Sequence, residues 1–249
     1  MNSTIQNWFV NENERKNQSA FTDDWMVSAE EIRQYLYCPR IPFFRKIRQI
    51  KPRTTKSMQR GTEFHKNVVH KRKMLQKWLE IHDKSLKNQK IELDQFNQPN
   101  QLEASKPEYY FNLYLESPNL HLLAYLDLIE SNISSDEIYP VEFKSLSRLP
   151  KNQISIDFPV ATHHLVQLTV QSLLMEEQFQ KFISKAKIMY IAQDQVQTCW
   201  QEISIDMKEL VLKTVRKMHE EIISEDLPVP TKHKKKCTVC EYRQVCRSI

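Results

Sequence analysis

A chain of 249 residues with 40% hydrophobic content can bury a sizeable core, as one domain or one domain with an elaboration. Its 36 basic and 31 acidic side chains leave a formal charge of only +5, so the distribution of charge says more than the total. No apolar stretch approaches the ~20 residues that span a bilayer, and the first residues lack a basic segment followed by an apolar run, which argues against a membrane helix and an export signal. The expectation is a cytoplasmic protein whose cysteines stay reduced and free to act as ligands.

Residues 1–25 are polar and read as a loosely held segment ahead of a single domain over 26–249. Ser28 followed by Glu31 is the signature of a capping box and predicts a helix running into Tyr35 and Leu36. A second helix is expected over about 57–82, and the Lys-, Gln- and Asn-rich stretch 72–107 fits a longer helix plus connection, a possible insertion or lid. Aromatic and β-branched residues then predict three successive strands at 109–116, 121–129 and 138–145, broken at Ser117-Pro118 and Ser131-Asn132. Leu165, Leu168, Ser172 and Met175, near helical spacing, predict a long helix over 161–180. Two more strands are expected at 187–193 and 198–205, then a helix at 206–224 that stops before Pro228 and Pro230, and a short helical turn closes the chain. The fold class is α/β.

The chemistry-bearing residues fall into three groups. Asp127 ends one predicted strand, and Glu142 and Lys144 lie two apart on the next, so alternation turns both to one face. A carboxylate on each of two adjacent strands can grip one divalent metal, and hard oxygen ligands suit Mg²⁺ or Mn²⁺. His65 opens the predicted long helix just after Gly61, the only glycine of the chain. Gln167 and Gln171, at i and i+4, share a helix face; by spacing alone they read as solvent-facing, with contact to DNA or support of metal ligands as the functional alternative.

The second group is cysteine. Cys38 lies far from the tight trio Cys237, Cys240 and Cys246, a pattern that suits four thiolates converging on one inorganic core. Zinc in a tetrahedral site remains the other reading, because spacing alone does not settle the metal. Cys199 matches no cluster motif and reads as a small core residue. The third group is basic. Between Arg40 and Thr62 there are eight Lys or Arg residues and no acid, and 232–236 is a second run directly before the cysteine trio. Joining the two ends would bring both runs together and favour a nucleic-acid groove over a merely solvated face.

With those motifs in view, the chain resembles the RecB-like nucleases of the PD-(D/E)xK superfamily, and within it the CRISPR-associated iron-sulfur exonucleases, the fourth Cas protein family. The resemblance runs from Val27 to Cys246 with its elements in order. It covers Ser28 through Cys38-Pro-Arg40, then Gly61-Thr-Glu-Phe-His65, Asp127, Glu142-Phe-Lys144, the Gln167–Gln171 helix, and the closing cysteines. Two departures stand out: Ala124 where a glycine is usual before Asp127, and Gln171 where the wider superfamily often has tyrosine.

The resemblance implies a restriction-endonuclease-like mixed β-sheet flanked by helices, with N- and C-terminal segments joined by a 4Fe-4S cluster on Cys38, Cys237, Cys240 and Cys246. It implies a metal-dependent deoxyribonuclease that trims single-stranded DNA ends or overhangs, processing fragments before integration together with CRISPR integrase proteins. His65, Asp127, Glu142 and the Phe143 backbone carbonyl would hold Mn²⁺ or Mg²⁺, Lys144 would assist the attacking water, and Gln167 would support the site. Two other readings stay open at this point: a stand-alone repair or recombination nuclease of the same fold, and a non-catalytic DNA-binding adaptor of an integrase complex.

Overall fold

The structure, a computed structural model, describes residues 25–52, 59, 107–132, 135–145, 162–192 and 195–249. The helix expected over 57–82 and the insertion expected over 72–107 lie outside these residues, apart from Gln59 and Pro107. His65 and Gly61 lie outside them too.

The first described element is a two-residue strand, β1 (Val27–Ser28), which pairs parallel with Leu122 and Leu123. Ser28 ends that strand and caps α1 (Ala29–Tyr37). The capping box is complete: the Glu31 N–H donates to Ser28 Oγ at 3.2 Å and the Glu31 carboxylate takes the Ser28 N–H at 2.8 Å. One residue pair thus turns the chain from sheet to helix within a single step. After α1 come a short helix, α2 (Arg40–Pro42), and a π turn over Phe43–Ile47.

The sheet contains β2 (Glu108–Ser117), β3 (Leu122–Asn132), β4 (Glu137–Ser145), β5 (Lys185–Ala192) and β6 (Gln195–Glu202) besides β1. β2, β3 and β4 form an antiparallel meander, β5 lies parallel to β4, and β6 returns antiparallel to β5. The β4-to-β5 connection holds α3 (Thr162–Phe179), so the parallel pair is built on a helical crossover. α4 (Ile205–Ser224) follows β6, and two one-turn helices, α5 (Lys234–Thr238) and α6 (Arg243–Arg247), end the chain. No described helix is long and apolar enough to cross a membrane.

Within the described residues, the predicted strands and helices are found within a few residues of their expected bounds. The largest difference is at β6, which starts at Gln195 and stops at Glu202, three residues earlier at each end than expected. Pairing draws its polar start into the sheet, Gln195 against Ala192. Its end is cut short because Ser204 Oγ accepts from the Met207 N–H at 3.2 Å and starts α4 instead.

The main core lies between the sheet and the helices. Leu122, Ala124 and Leu126 of β3 meet Val166, Val170 and Leu174 of α3, Ile32 of α1, and Val211 and Val215 of α4. Each such side chain contributes about 1.5–3 kcal/mol through burial. α3 is buried on several sides, because its Leu168 also packs under β5 and β6 against Ile188 and Cys199. Cys199 is therefore a small core residue. A second cluster, on the opposite face of the sheet, contains Phe111, Leu128, Val141, Phe143, Met189 and Ile191.

Alternation along β2 and β3 breaks at one place. Leu113 and Leu115 belong to the helix-side core but Phe111 to the opposite cluster; Leu122, Ala124 and Leu126 face the helices but Leu128 does not. The residues at the two breaks are Asn112 and Asp127, which lie across from each other between the pairs Phe111–Leu128 and Leu113–Leu126. Asn112 has φ 52°, a left-handed backbone inside a strand. Both strands change phase together, so their pairing survives while the faces swap.

Candidate active site

β4 puts Glu142 and Lys144 on the helix side because Val141 and Phe143, between and before them, bury on the other face. Lys144 Nζ donates to Glu142 Oε1 and to Gln167 Oε1, both at 2.8 Å, and Gln167 Nε2 donates to the same Glu142 oxygen at 2.8 Å. The three side chains close a ring. Because Gln167 gives to a carboxylate and accepts from an ammonium, only one orientation of its amide satisfies both. One helical turn on, Gln171 Nε2 donates to the other Glu142 oxygen at 2.7 Å.

The two glutamines are not the solvent-facing pair that spacing alone gives. Gln171 is 1% exposed, and both amides end on Glu142. Periodicity places two residues on one helix face without saying what that face meets. Here the face meets a strand carrying a buried acid, and α3 has core on its other sides.

Asp127 stands where β3 changes phase. The last β3–β4 pair toward it is Leu128–Val141, and beyond that point the Phe143 N–H donates to Asp127 Oδ2 at 2.9 Å instead of to a backbone carbonyl. A side chain thus replaces a rung of the ladder, and Asp127 is drawn beside Glu142. Glu142 is 1% exposed. Burial and the Asp127 charge push its carboxyl up from the ordinary range, with Lys144 and Gln171 pulling the other way. Among the described residues, the carboxylates of Asp127 and Glu142 face the Lys144 ammonium, a set of charges to which a divalent cation could be added. Gln171 Oε1 is buried in the same place with no hydrogen-bond partner. The donor set therefore fits a hard cation.

Several residues near the site have no sequence signal of their own. His164 is one turn before Gln167, with Nδ1 3.2 Å from the Tyr190 hydroxyl, and Tyr190 is the β5 neighbour of Lys144. Burial and Lys144 push the His164 imidazole down to about 3, so it is neutral at physiological pH. His163 is pushed down as well, by burial and by Arg33 and Lys144. On α1, Glu30 takes hydrogen bonds from Arg33 Nε at 2.6 Å and Gln34 Nε2 at 2.8 Å. Only the His-Leu-Val-Gln spacing on a helix face next to Gln167 could have pointed to His164.

The cysteine end lies at the opposite terminus of α1. Cys38 is buried with Ile41, Phe43, Phe44 and Tyr242, and Cys240 and Cys246 pack against that group. Cys240 has both Cys38 and Cys237 as charge neighbours. The sequence thus brings all four predicted cysteines to one place, although no three His, Cys, Asp or Glu side chains among the described residues stand in a metal-holding arrangement. Arg40 Nη1 is 3.2 Å from Cys246 Sγ, while burial pushes the Cys240 thiol up, with the Tyr242 N–H pulling the other way and Cys38, Glu241 and Cys237 adding to the rise.

Part of the basic run serves structure. Arg40 Nε donates to the Pro228 carbonyl at 2.8 Å, and Lys46 pairs with Glu31 at 2.9 Å. In the second run, Lys236 Nζ sits 4.6 Å from the Tyr37 ring centroid and donates to the Tyr37 carbonyl at 3.3 Å. Tyr37 answers with its hydroxyl on the Lys236 carbonyl at 3.2 Å. Lys234 and Lys235 are exposed.

Comparisons with known proteins give the family of the chain. The model of the PD-(D/E)XK nuclease superfamily matches residues 26–247. The chain is 24% identical over 233 residues to the CRISPR-associated exonuclease Cas4 of Francisella tularensis subsp. novicida (strain U112), a match covering 92% of this chain and 98% of that protein. It is 28% identical over 127 residues to the DNA replication ATP-dependent helicase/nuclease JHS1 of Arabidopsis thaliana, covering 48% of this chain and 9% of that protein. The crystal structure of SSO0001 is similar over 91% of this chain and 88% of its own, at 14% identity and a TM-score of 0.43.

Proposed function

The chain belongs to the PD-(D/E)XK nuclease superfamily, and we propose that within it this protein is a metal-dependent deoxyribonuclease that trims single-stranded DNA ends or overhangs. The observation that carries this reading is Glu142, fully buried beside Asp127 and held by Lys144, Gln167 and Gln171. A structural ion pair would not require two carboxylates at a break in the ladder.

Asp127 and Glu142 would hold Mg²⁺ or Mn²⁺, with the Phe143 carbonyl and His65 as further ligands, and the ion would supply Lewis-acid stabilisation and a more acidic water at neutral pH. The chain's own residues do the rest. Lys144, fixed between Glu142 and Gln167, places one positive charge where negative charge builds on the scissile phosphate. Gln167 keeps that ammonium from collapsing fully onto Glu142 by sharing it. The Asp127 bond to the Phe143 N–H fixes the carboxylate without using its second oxygen for that rung. The remaining cations of the run after Arg40, with Lys234 and Lys235, would carry the phosphate backbone.

Cys38, Cys237, Cys240 and Cys246 would hold a 4Fe-4S cluster with a structural role. Similarity to the Cas4 exonuclease supports a place in processing DNA fragments before integration, beside CRISPR integrase proteins. The test is cleavage of end-labelled single-stranded DNA by anaerobically purified protein with Mn²⁺, beside Glu142→Ala. Metal-dependent cleavage lost in the variant, at unchanged DNA binding, is expected. A protein that binds DNA and never cuts it, alone or with integrase proteins, would be an adaptor instead.

A further inference from the structure

The two glutamines of α3 treat Glu142 alike and differ in one respect. Each donates its Nε2 to a Glu142 oxygen, Gln167 to Oε1 and Gln171 to Oε2. The carbonyl half of Gln167 is met by a cation, Lys144 Nζ, at 2.8 Å. The carbonyl half of Gln171, in a residue 1% exposed, is met by nothing. A reversed Gln171 amide would set its oxygen against the carboxylate, so the bond to Glu142 fixes which atom is left over. A buried acceptor without a donor costs free energy, and native interiors keep few of them.

The unpartnered oxygen belongs to the amide that bonds Glu142 Oε2, whereas Lys144 and Gln167 share Oε1. It is one amide width from a carboxylate whose charge is opposed by Asp127. The site therefore has one cation-facing carbonyl already filled and a second of the same build still open.

We propose that Gln171 is a positioning residue for the divalent ion: its side-chain oxygen accepts a hydrogen bond from the hydrated cation held by Asp127 and Glu142, as Gln167 accepts one from Lys144. The inference rests on the metal-dependent reading above. Mg²⁺ keeps several of its waters, so an acceptor reserved for its hydration shell is a chemically ordinary partner. Such outer partners typically alter metal affinity by about 10–100-fold. Where the superfamily often has tyrosine, glutamine brings a donor for Glu142 and an acceptor for the ion on one side chain.

The experiment is calorimetric titration of Mn²⁺ into DNA-free protein: the native chain, Gln171→Met and Gln171→Glu, each checked for folding by thermal melt. Both variants lose the donor to Glu142, and only Glu keeps an acceptor. The expected result is binding by the native chain, about tenfold weaker binding in Gln171→Met, and binding at least as tight as native in Gln171→Glu. Equal weakening in both variants would overturn the proposal, because Gln171 would then act only by propping Glu142. Equal affinity in all three would overturn it too. No Mn²⁺ binding by the native chain would sink the metal-dependent reading itself. A second measurement needs no variant: on Mg²⁺ addition to glutamine-labelled native protein, the Gln171 side-chain carbonyl ¹³C resonance shifts clearly more than that of Gln167, which also donates to Glu142, and equal shifts would overturn the proposal.

Discussion

His164 shows how much one side chain can report about the site. Its imidazole, ordinarily near 6.5, is held down at about 3 by burial and by Lys144. The unfolded chain therefore binds a proton at this position before the folded one does. The stability tied to the neutral ring is complete above pH 6.5 and is lost as pH falls from there toward 3. Replacing His164 with Gln should flatten the slope of stability against pH between about 6.5 and 4, measured by urea unfolding at a series of pH values. An unchanged slope would mean the ring is solvated. At Glu142 the sign is opposite: its raised carboxyl costs stability above the ordinary carboxylate range, and protonation relieves the cost. Asp127, Glu142 and Lys144 were legible as a group because strand alternation reaches across only two residues. The reach of Gln171 and His164 was not, because helix spacing fixes a face and only packing fixes its partner.

At the scale of elements, strand and helix patterns were readable from local chemistry: turn residues, aromatic runs, the Ser28–Glu31 box. The phase break at Asn112 and Asp127 was not readable, since alternation rules assume a strand keeps its faces. That break is what lets one strand serve the core and also present an acid toward β4. Asn112 holds the left-handed backbone at a cost of about 1–2 kcal/mol for an ordinary residue, less for asparagine. Asn112→Gly should leave stability unchanged or raise it slightly, and Asn112→Val should lower it by about 1–3 kcal/mol, read from paired denaturation curves. Because the strained residue faces Asp127 across the β2–β3 pair, Asn112→Val should also displace Asp127, whereas a valine elsewhere in β2 would suit the strand.

For the whole molecule, the cysteine spacing anticipated that the two ends meet, and it credited the meeting to an inorganic group. The protein supplies closure of its own. Tyr242, 2% exposed, stacks on Phe44 with ring centroids 5.5 Å apart and donates its hydroxyl to the Ile50 carbonyl at 3.2 Å. Tyr37 and Lys236 bond to each other twice, and Arg40 reaches Pro228. Tyr242→Ala should cost about 3–5 kcal/mol and speed amide exchange in Phe43–Ile47, at the other end of the sequence. Exchange confined to residues around 242 would show that the ends are independent. The aromatic closure also sets a timetable. Cys38 is about two hundred residues ahead of Cys237, so at translation rates of about 5–20 residues per second a ribosome makes the first half of the joint roughly 10–40 s before the second. Through that interval Phe44 has no Tyr242 to cover it, and the newborn chain leaves that aromatic surface open to the quality-control machinery of the cell.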